Sequence, residues 1–508
     1  MSKVSRRANR EEIKTQRKAL KKTEKVLRKE NKANGVNVSS HATISNHKCA
    51  YESVEEESIV RNEAIAGQMR IFRSKLPILL KRLSKIKDPR NPKKTKHKIA
   101  TLMIYGILTF IFHISSGREV NREMTRPMFW KNLIFFFPEL ESLPHYDTLK
   151  RLLSEIDVNE IESIHVELVR GMIRNKKFLR YLINNCYPIS IDGTQKFCRK
   201  QLWAEECQQR KINKKDESEL QYYVYILEAN LTFYDGMTIP LMSEFLSYTE
   251  GDTDNNKQDC ELKAFYRLAK RLKSQFPSLK IMILLDGLYA KGPVIEICRA
   301  NKWEFMIVLK DDALPSVMSE FNVLSELEED NTSSYVWGGR KQQFKWVNKI
   351  EYYFGPNEKK MQRLHVVECR EKWKEVDKKS GEIVENNSRH VWISSNSLNR
   401  RNLHERCNLG ARHRWGIEVS MLVEKHHGYQ YEHCFSYNWN AMKGIHYLMR
   451  LGHMLNVLGR YSQRLVKIIK DTGVRGFIRL IRETMASPWP DYEWLKKELS
   501  TPFQLRLV

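Results

Sequence analysis

Lys280-Ile281-Met282-Ile283-Leu284-Leu285-Asp286-Gly287 is an apolar run closed by a carboxylate and a turn residue. Its length and composition read as a β-strand ending on Asp286. A second run of the same kind, Pro188-Ile189-Ser190-Ile191-Asp192-Gly193, stands ninety-odd residues earlier and also ends on a carboxylate. A carboxylate at the end of a buried strand is costly unless it is paired or binds a metal. In open α/β sheets, ligands gather at strand ends. Between the two runs, Tyr222–Leu231 and Met237–Leu246 read as strands joined by the Asp235-Gly236 hairpin turn, and 258–274 as a helix. After Gly287 come a helix over Pro293–Asn301 and a strand over Glu304–Leu309. Hairpin-joined strands followed by alternating strands and helices predict an α/β core with a mixed sheet and flanking helices.

Outward from this core the pattern changes on both sides. Residues 1–30 carry twelve Lys or Arg against four Glu, so 1–56 is expected to be a basic, flexible N-terminal arm. Helical periodicity from 57 to 180 predicts an all-α domain and a candidate DNA-binding element. The first part of the core spans 181–310. Residues 311–397 hold short aromatic and β-branched runs separated by turns, which predicts an antiparallel β insertion with Trp337 and Trp346 in its core. A long helix is expected from Leu398 to Lys425, within a 398–438 segment, and residues 439–508 form a C-terminal helical region.

Lys plus Arg is 87 and Asp plus Glu is 61, a formal charge of +26. With 41% hydrophobic residues the chain is no disordered polycation, and such an excess calls for a polyanionic partner, nucleic acid first. No secretory signal fits the charged N-terminus, and Ile99–Ser115, the longest apolar run, is short for a membrane span. Nine cysteines without a CxxC pair predict a reduced, cytoplasmic protein without a zinc ribbon. Neither a GxxxxGK[ST] loop nor a GxSxG element occurs, so ATP binding and serine hydrolase chemistry are not indicated.

The third feature is Arg412-His413-Arg414-Trp415-Gly416-Ile417-Glu418-Val419-Ser420-Met421-Leu422-Val423-Glu424-Lys425. Arg414, Glu418 and Lys425 share one helical face, beside an apolar stripe of Trp415, Val419 and Leu422. Glu424 lies off that face and is expected to be inert. An ordinary surface salt bridge between Arg414 and Glu418 explains the spacing as well as a functional acid does.

These motifs together resemble one large group of bacterial DDE transposases, of the insertion-sequence type. The spacing R-(3)-E-(6)-K at Arg414, Glu418 and Lys425 matches that group's signature around its third acidic residue. Asp192-Gly193-Thr194 resembles its first-Asp motif and Leu285-Asp286-Gly287-Leu288-Tyr289-Ala290 its second. Lys257-Gln258-Asp259-Cys260-Glu261, with Ala264, Arg267 and Leu268, is similar to a stretch preceding the second Asp. The interval between Asp286 and Glu418 leaves room for the family's β insertion, and the segment from Asp88-Pro89-Arg90 to about residue 160 resembles the domain that accompanies it. The signature's Tyr is replaced by Ala411, which bears on how a DNA end is handled and on a hairpin intermediate.

The resemblance covers roughly residues 85–455 and implies an RNase H-like catalytic core interrupted by the β insertion. It implies Asp192, Asp286 and Glu418 as catalytic residues and ligands of two Mg²⁺ ions, with Mn²⁺ able to substitute. Arg414, Lys425, Lys310, Lys196 and Arg199, with Lys200, are the DNA-contacting candidates. The partners implied are double-stranded DNA (terminal inverted repeats and target) and a second copy in a synaptic homodimer, with no membrane. A nucleoid-associated cytoplasmic location follows. The alternatives are a metal-dependent nuclease on the same core without strand transfer, and a non-catalytic DNA-binding relic.

Overall fold

The computed structural model describes residues 3–36, 49, 51–213, 216–250 and 259–508, with the side chains of 3–8, 213 and 216–219 outside that description. The chain begins with helices α1 (Lys3–Ala33), α2 (Val54–Leu83), α3 (Ile99–Ile111), α4 (Gly117–Met124), α5 (Pro127–Phe136), α6 (Tyr146–Glu155) and α7 (Asn159–Arg174). Strands β1 (Tyr187–Arg199), β2 (Gln208–Asn213), β3 (Asp216–Thr232) and β4 (Thr238–Phe245) follow, then α8 (Glu261–Gln275), β5 (Ile281–Leu285), α9 (Gly292–Ala300) and β6 (Glu304–Val308). Next come α10 (Pro315–Leu327), β7 (Thr332–Trp337), β8 (Arg340–Phe354), β9 (Lys360–Val376) and β10 (Ile383–Ser394). Four helices close the chain: α11 (Gly416–His426), α12 (Trp439–Arg460), α13 (Val466–Met485) and α14 (Tyr492–Ser500).

These elements fall into two compact units. The larger is Ile44–Met282 with Arg412–Val508, the smaller Met1–Thr43 with Ile283–Ala411. In the larger unit β3 pairs antiparallel with β1, β2 and β4, and the β3–β4 turn is the expected one. There Gly236 takes φ +88 and Asp235 Oδ1 accepts the Met237 N–H at 3.0 Å. The apolar run at 99–115 is α3, whose residues are buried except Ala100, against α12, α6 and α2. Helix α12 is itself buried from Ala441 to Gly459 except at Lys443 and packs on α2, α3, α6, α7 and β4. The C-terminal helices therefore share one core with α2–α7, where separate helical regions were expected. Close approach needs Gly452, since a Cβ there would stand 2.8 Å from Phe110 Cβ.

Three expectations are corrected within the strands and helices. First, β1 does not stop at Asp192 but runs on to Arg199, because β3 pairs with it along nearly its whole length. Second, the helix expected from 398 to 425 is interrupted: a π-helical turn at His404–Gly410 and a 3₁₀ turn at Ala411–Trp415 precede α11. Third, the N-terminal segment forms the long helix α1, with Leu27 buried and Glu30 paired to Lys374 of β9 at 3.0 Å, where a flexible arm was expected. Residues 37–48 and 50 of that segment lie outside the described residues.

In the smaller unit the sheet order is β6-β10-β9-β8-β7, antiparallel throughout, so the β-rich segment continues from β6 through β10 and also contains α10. Trp346 is buried there, and Trp337 half-buried. Among the described residues, no helix is long and apolar enough to cross a membrane.

Candidate active site

In the larger unit, Asp192 stands mid-strand in β1, directly across the ladder from Glu228 of β3. Residues so paired leave the sheet by the same face. Helix α11 packs on β1, β3 and β4. The 3₁₀ turn before α11 delivers Arg414, whose guanidinium reaches two carboxylates at once. Its Nη1 lies 3.4 Å from Asp192 Oδ2 and its Nη2 2.6 Å from Glu418 Oε1. Arg414 is buried, while the side chains of Asp192 and Glu418 keep 20% and 31% exposure. A buried cation thus holds together two acids that both remain open to solvent, although they lie more than two hundred residues apart. Without it the two carboxylates would repel one another.

The backbone beside Asp192 is equally constrained. Asp192 Oδ1 accepts the Gly193 N–H at 2.9 Å. A Cβ at Gly193 would stand 2.6 Å from the Tyr225 ring and 2.8 Å from the Glu261 carboxyl carbon. Tyr225 donates its hydroxyl to Glu261 Oε1 at 2.7 Å. Glu261 opens α8, in the stretch that resembles the motif before the second Asp. In that stretch Asp259 is buried and pairs with Arg267 at 2.6 Å, while Lys257 and Gln258 lie outside the described residues.

Behind the pair lies a buried charge network that sequence reasoning missed. Arg450 of α12 bridges Glu228 of β3 (3.2 Å) and Glu424 of α11 (3.0 Å), all three almost wholly buried. His453 Nδ1 lies 2.6 Å from Glu424, His446 Nε2 3.3 Å from Glu228, and Ser243 and Tyr431 donate hydroxyls to Glu228. Burial raises the Glu228 and Glu424 carboxyls, yet Arg450 and the neighbouring histidines outweigh it and hold both below the usual range. Glu424, expected to be inert, is therefore the residue that ties α11 to α12. The signal was available: His446, Arg450 and His453 form an i, i+4, i+7 polar stripe within the mainly apolar run Gly444–Leu455, and Glu228 is the one charge in Tyr222–Leu231.

The DNA-contacting candidates divide. Lys196 is buried, its Nζ donating to the Tyr431 carbonyl at 2.8 Å and lying 4.3 Å from that ring, so it is no free phosphate contact. The physical reason is a β-bulge: the β1–β3 register shifts between Gln195 and Phe197, and such an extra residue re-aims its side chain. Burial draws its ammonium down to about 8, against the pull of Glu228 and Glu424. Arg414 is engaged by the acids rather than presented on the surface. Lys425 pairs with Glu432 at 3.2 Å, and the exposed Arg199 lies over Tyr437. Trp415, Val419 and Leu422, a stripe that would have suited a core, are exposed.

In the smaller unit Asp286 follows β5 directly, as expected, and its Oδ1 accepts the Leu288 N–H at 2.9 Å to cap a 3₁₀ turn. The exposed Lys310 lies along Gly287, where a Cβ would meet its Cγ at 2.9 Å. Among the described residues, no group of three or more His, Cys, Asp or Glu is arranged to hold a metal ion. The carboxylates of Asp192 and Glu418 nonetheless offer the hard oxygen donors that Mg²⁺ takes.

Residues 80–169, which span α3 to α6 and most of α7, match the family described as DDE_Tnp_1-associated, and this match points to a transposase-family protein. No curated protein matches the chain.

Proposed function

We propose that the chain is a DDE-type transposase, cutting phosphodiester bonds at the ends of a mobile element and joining the freed 3′-OH to target DNA. The observation that carries this reading is the Asp192–Arg414–Glu418 constellation, two solvent-reaching acids held by one buried guanidinium. The match over residues 80–169 and the order of the three acidic motifs support it.

In this reading Asp192, Asp286 and Glu418 serve one reaction centre and hold Mg²⁺ with double-stranded DNA as substrate. When bound, two such ions activate the attacking oxygen and stabilise the leaving one. The chain's own residues set the geometry. Arg414 keeps Asp192 and Glu418 together before substrate arrives, so less ordering is left to the metal. The Glu424–Arg450–Glu228 network fixes α11 against β3 and α12, and with it Glu418 against β1. Both acids lie on regular elements, β1 and α11, which position side chains better than loops do. Two ends must be synapsed, so a homodimer on DNA is part of the proposal.

The test is a cleavage assay on labelled element ends with Mg²⁺, scoring nicked and joined products separately. Asp192→Asn, Asp286→Asn and Glu418→Gln should each lower cleavage by several orders of magnitude while duplex binding persists, and chelation should do the same to the wild type. Full cleavage in Glu418→Gln at saturating metal overturns the assignment of α11. Nicks without joined products reduce the activity to that of a nuclease.

A further inference from the structure

At the far end of α11 from Glu418, the larger unit opens a cavity of about 590 Å³ between the α11 exit, α13 and the α4–α5 corner. Four arginines line it, Arg126, Arg475, Arg479 and Arg482, against two carboxylates, Glu123 and Glu483. Both carboxylates are already matched: Arg126 lies 3.2 Å from Glu123, and Glu483 is 3.4 Å from Arg61 and 3.8 Å from Arg479. Arg482 turns to Glu119 at 3.0 Å. Arg475 is exposed and has no ion pair among the described residues, and its one hydrogen bond is to the His426 carbonyl at 3.1 Å.

Two histidines of the walls are held toward their neutral form. Burial first, then His453, Arg482, His427 and Arg475, push the His113 imidazole down to about 3, and burial with Arg475 and His426 lowers His427. The backbone is also unusual here. His113 and Gln430 occupy the left-handed region at φ 50 and 53, and Gly428, at φ +105, lies so close to the His113 ring that a Cβ would meet Nδ1 at 2.4 Å. Strained residues gathered around one cavity mark places where structure is maintained against its local preference.

We propose that this cavity is a phosphate-binding site, with Arg475 and Arg479 as its principal contacts. A phosphate oxygen matches the planar, multi-donor guanidinium better than a carboxylate or an apolar ligand does. The group comes from a DNA backbone or from a free phosphate. Along α11 the cavity end lies about 12 Å from Glu418, at 1.5 Å per residue over Glu418–His426. Backbone binding here therefore grips the duplex a few base pairs away from the proposed reaction centre. The choice of DNA as a probe rests on the transposase reading; the charge argument does not.

The experiment compares the full chain with Arg475→Gln/Arg479→Gln, and with Arg174→Gln as a control that pairs with Glu167 away from the cavity lining. One arm measures duplex affinity against salt. Each phosphate no longer neutralised lowers the slope of log K on log [salt] by about 0.9, so the double variant's slope should be shallower by roughly 1–2. The other arm adds inorganic phosphate, with chloride at equal ionic strength as reference, and follows the thermal midpoint. A phosphate-specific rise in the wild type that vanishes in the double variant identifies the site. A shallower slope alone assigns the ligand to DNA; a vanished thermal response alone assigns it to free phosphate. A double variant that matches the wild type in both arms, with unchanged circular dichroism, overturns the proposal. A cleavage assay on the same wild-type preparation keeps the two readings apart: absent cleavage with both responses intact sinks only the catalytic one.

Discussion

Lys196 carries its charge where water does not reach, and this gives it a signature in solution. Its folded value, about 8, lies below the ordinary lysine value of 10.5. Between these two values the unfolded chain holds a proton that the folded chain has released, so this group makes stability rise with pH from about 8 to 10.5. Below about 8 the folded state bears the full burden of a buried ammonium. Lys196→Met removes the group from the balance. The difference in thermal midpoint between wild type and Lys196→Met should favour the variant most near pH 7 and shrink as pH rises through that window. A constant difference across it shows that Lys196 does not titrate there. Nothing in Gln195-Lys196-Phe197 announces this burial. Lysine beside a presumed strand end reads as a surface cation, and only the bulge in the β1–β3 ladder turns it inward. Arg414 was legible in position but not in role: its spacing to Glu418 gave the salt bridge, whereas the contact with Asp192 depends on a strand 222 residues earlier.

Helix α11 has two glutamates six residues apart that meet opposite surroundings. Glu418 reaches solvent and shares Arg414, so Glu418→Gln should change stability by less than about 1 kcal/mol. Glu424 is fully buried against Arg450 and His453. Glu424→Gln leaves the Arg450 guanidinium short of a counter-charge in the core and should destabilise by roughly 3–5 kcal/mol. Urea titrations of the two variants measure the contrast, and a silent Glu424→Gln means that Glu228 alone suffices for Arg450. Of the secondary structure, the strongly patterned parts were legible: α3 from its apolar run, the β3–β4 hairpin from Asp235-Gly236, β5 and Asp286 from Lys280–Gly287. The length of β1 was not, because Gly193-Thr194-Gln195-Lys196 has weak strand character and is held extended by pairing with β3. The break before α11 was hidden for a similar reason, since π and 3₁₀ turns leave no sequence period of their own.

The formal charge of +26 is spread over both units, and α1 alone carries thirteen Lys or Arg against four Glu. Only Leu27 among its described side chains is deeply buried, and Lys14, Arg17, Lys18 and Lys21 are exposed. Replacing these four by Gln should lower the salt slope of duplex binding by about 0.9 for each phosphate they neutralise, and leave site preference unchanged. A slope equal to the wild type's places α1 off the DNA. The sharing of one core by α2–α7 and α12–α14 was not legible, because periodicity describes a helix but not its neighbours. That same arrangement has a consequence for how the protein comes into being. The larger unit is built from two stretches of chain, and Arg414, Glu418 and Arg450 all belong to the second. At ~5–20 residues per second, a ribosome needs roughly 10–45 s to pass from Asp192 to Arg414. Throughout that interval the nascent chain has its first acid without the guanidinium that holds it, without its partner acid, and without the helix that closes the core. A polypeptide released between residues 200 and 411 carries β1 and its aspartate but cannot assemble the pair. Whatever chemistry the pair serves, it has to wait until Glu418 has been made.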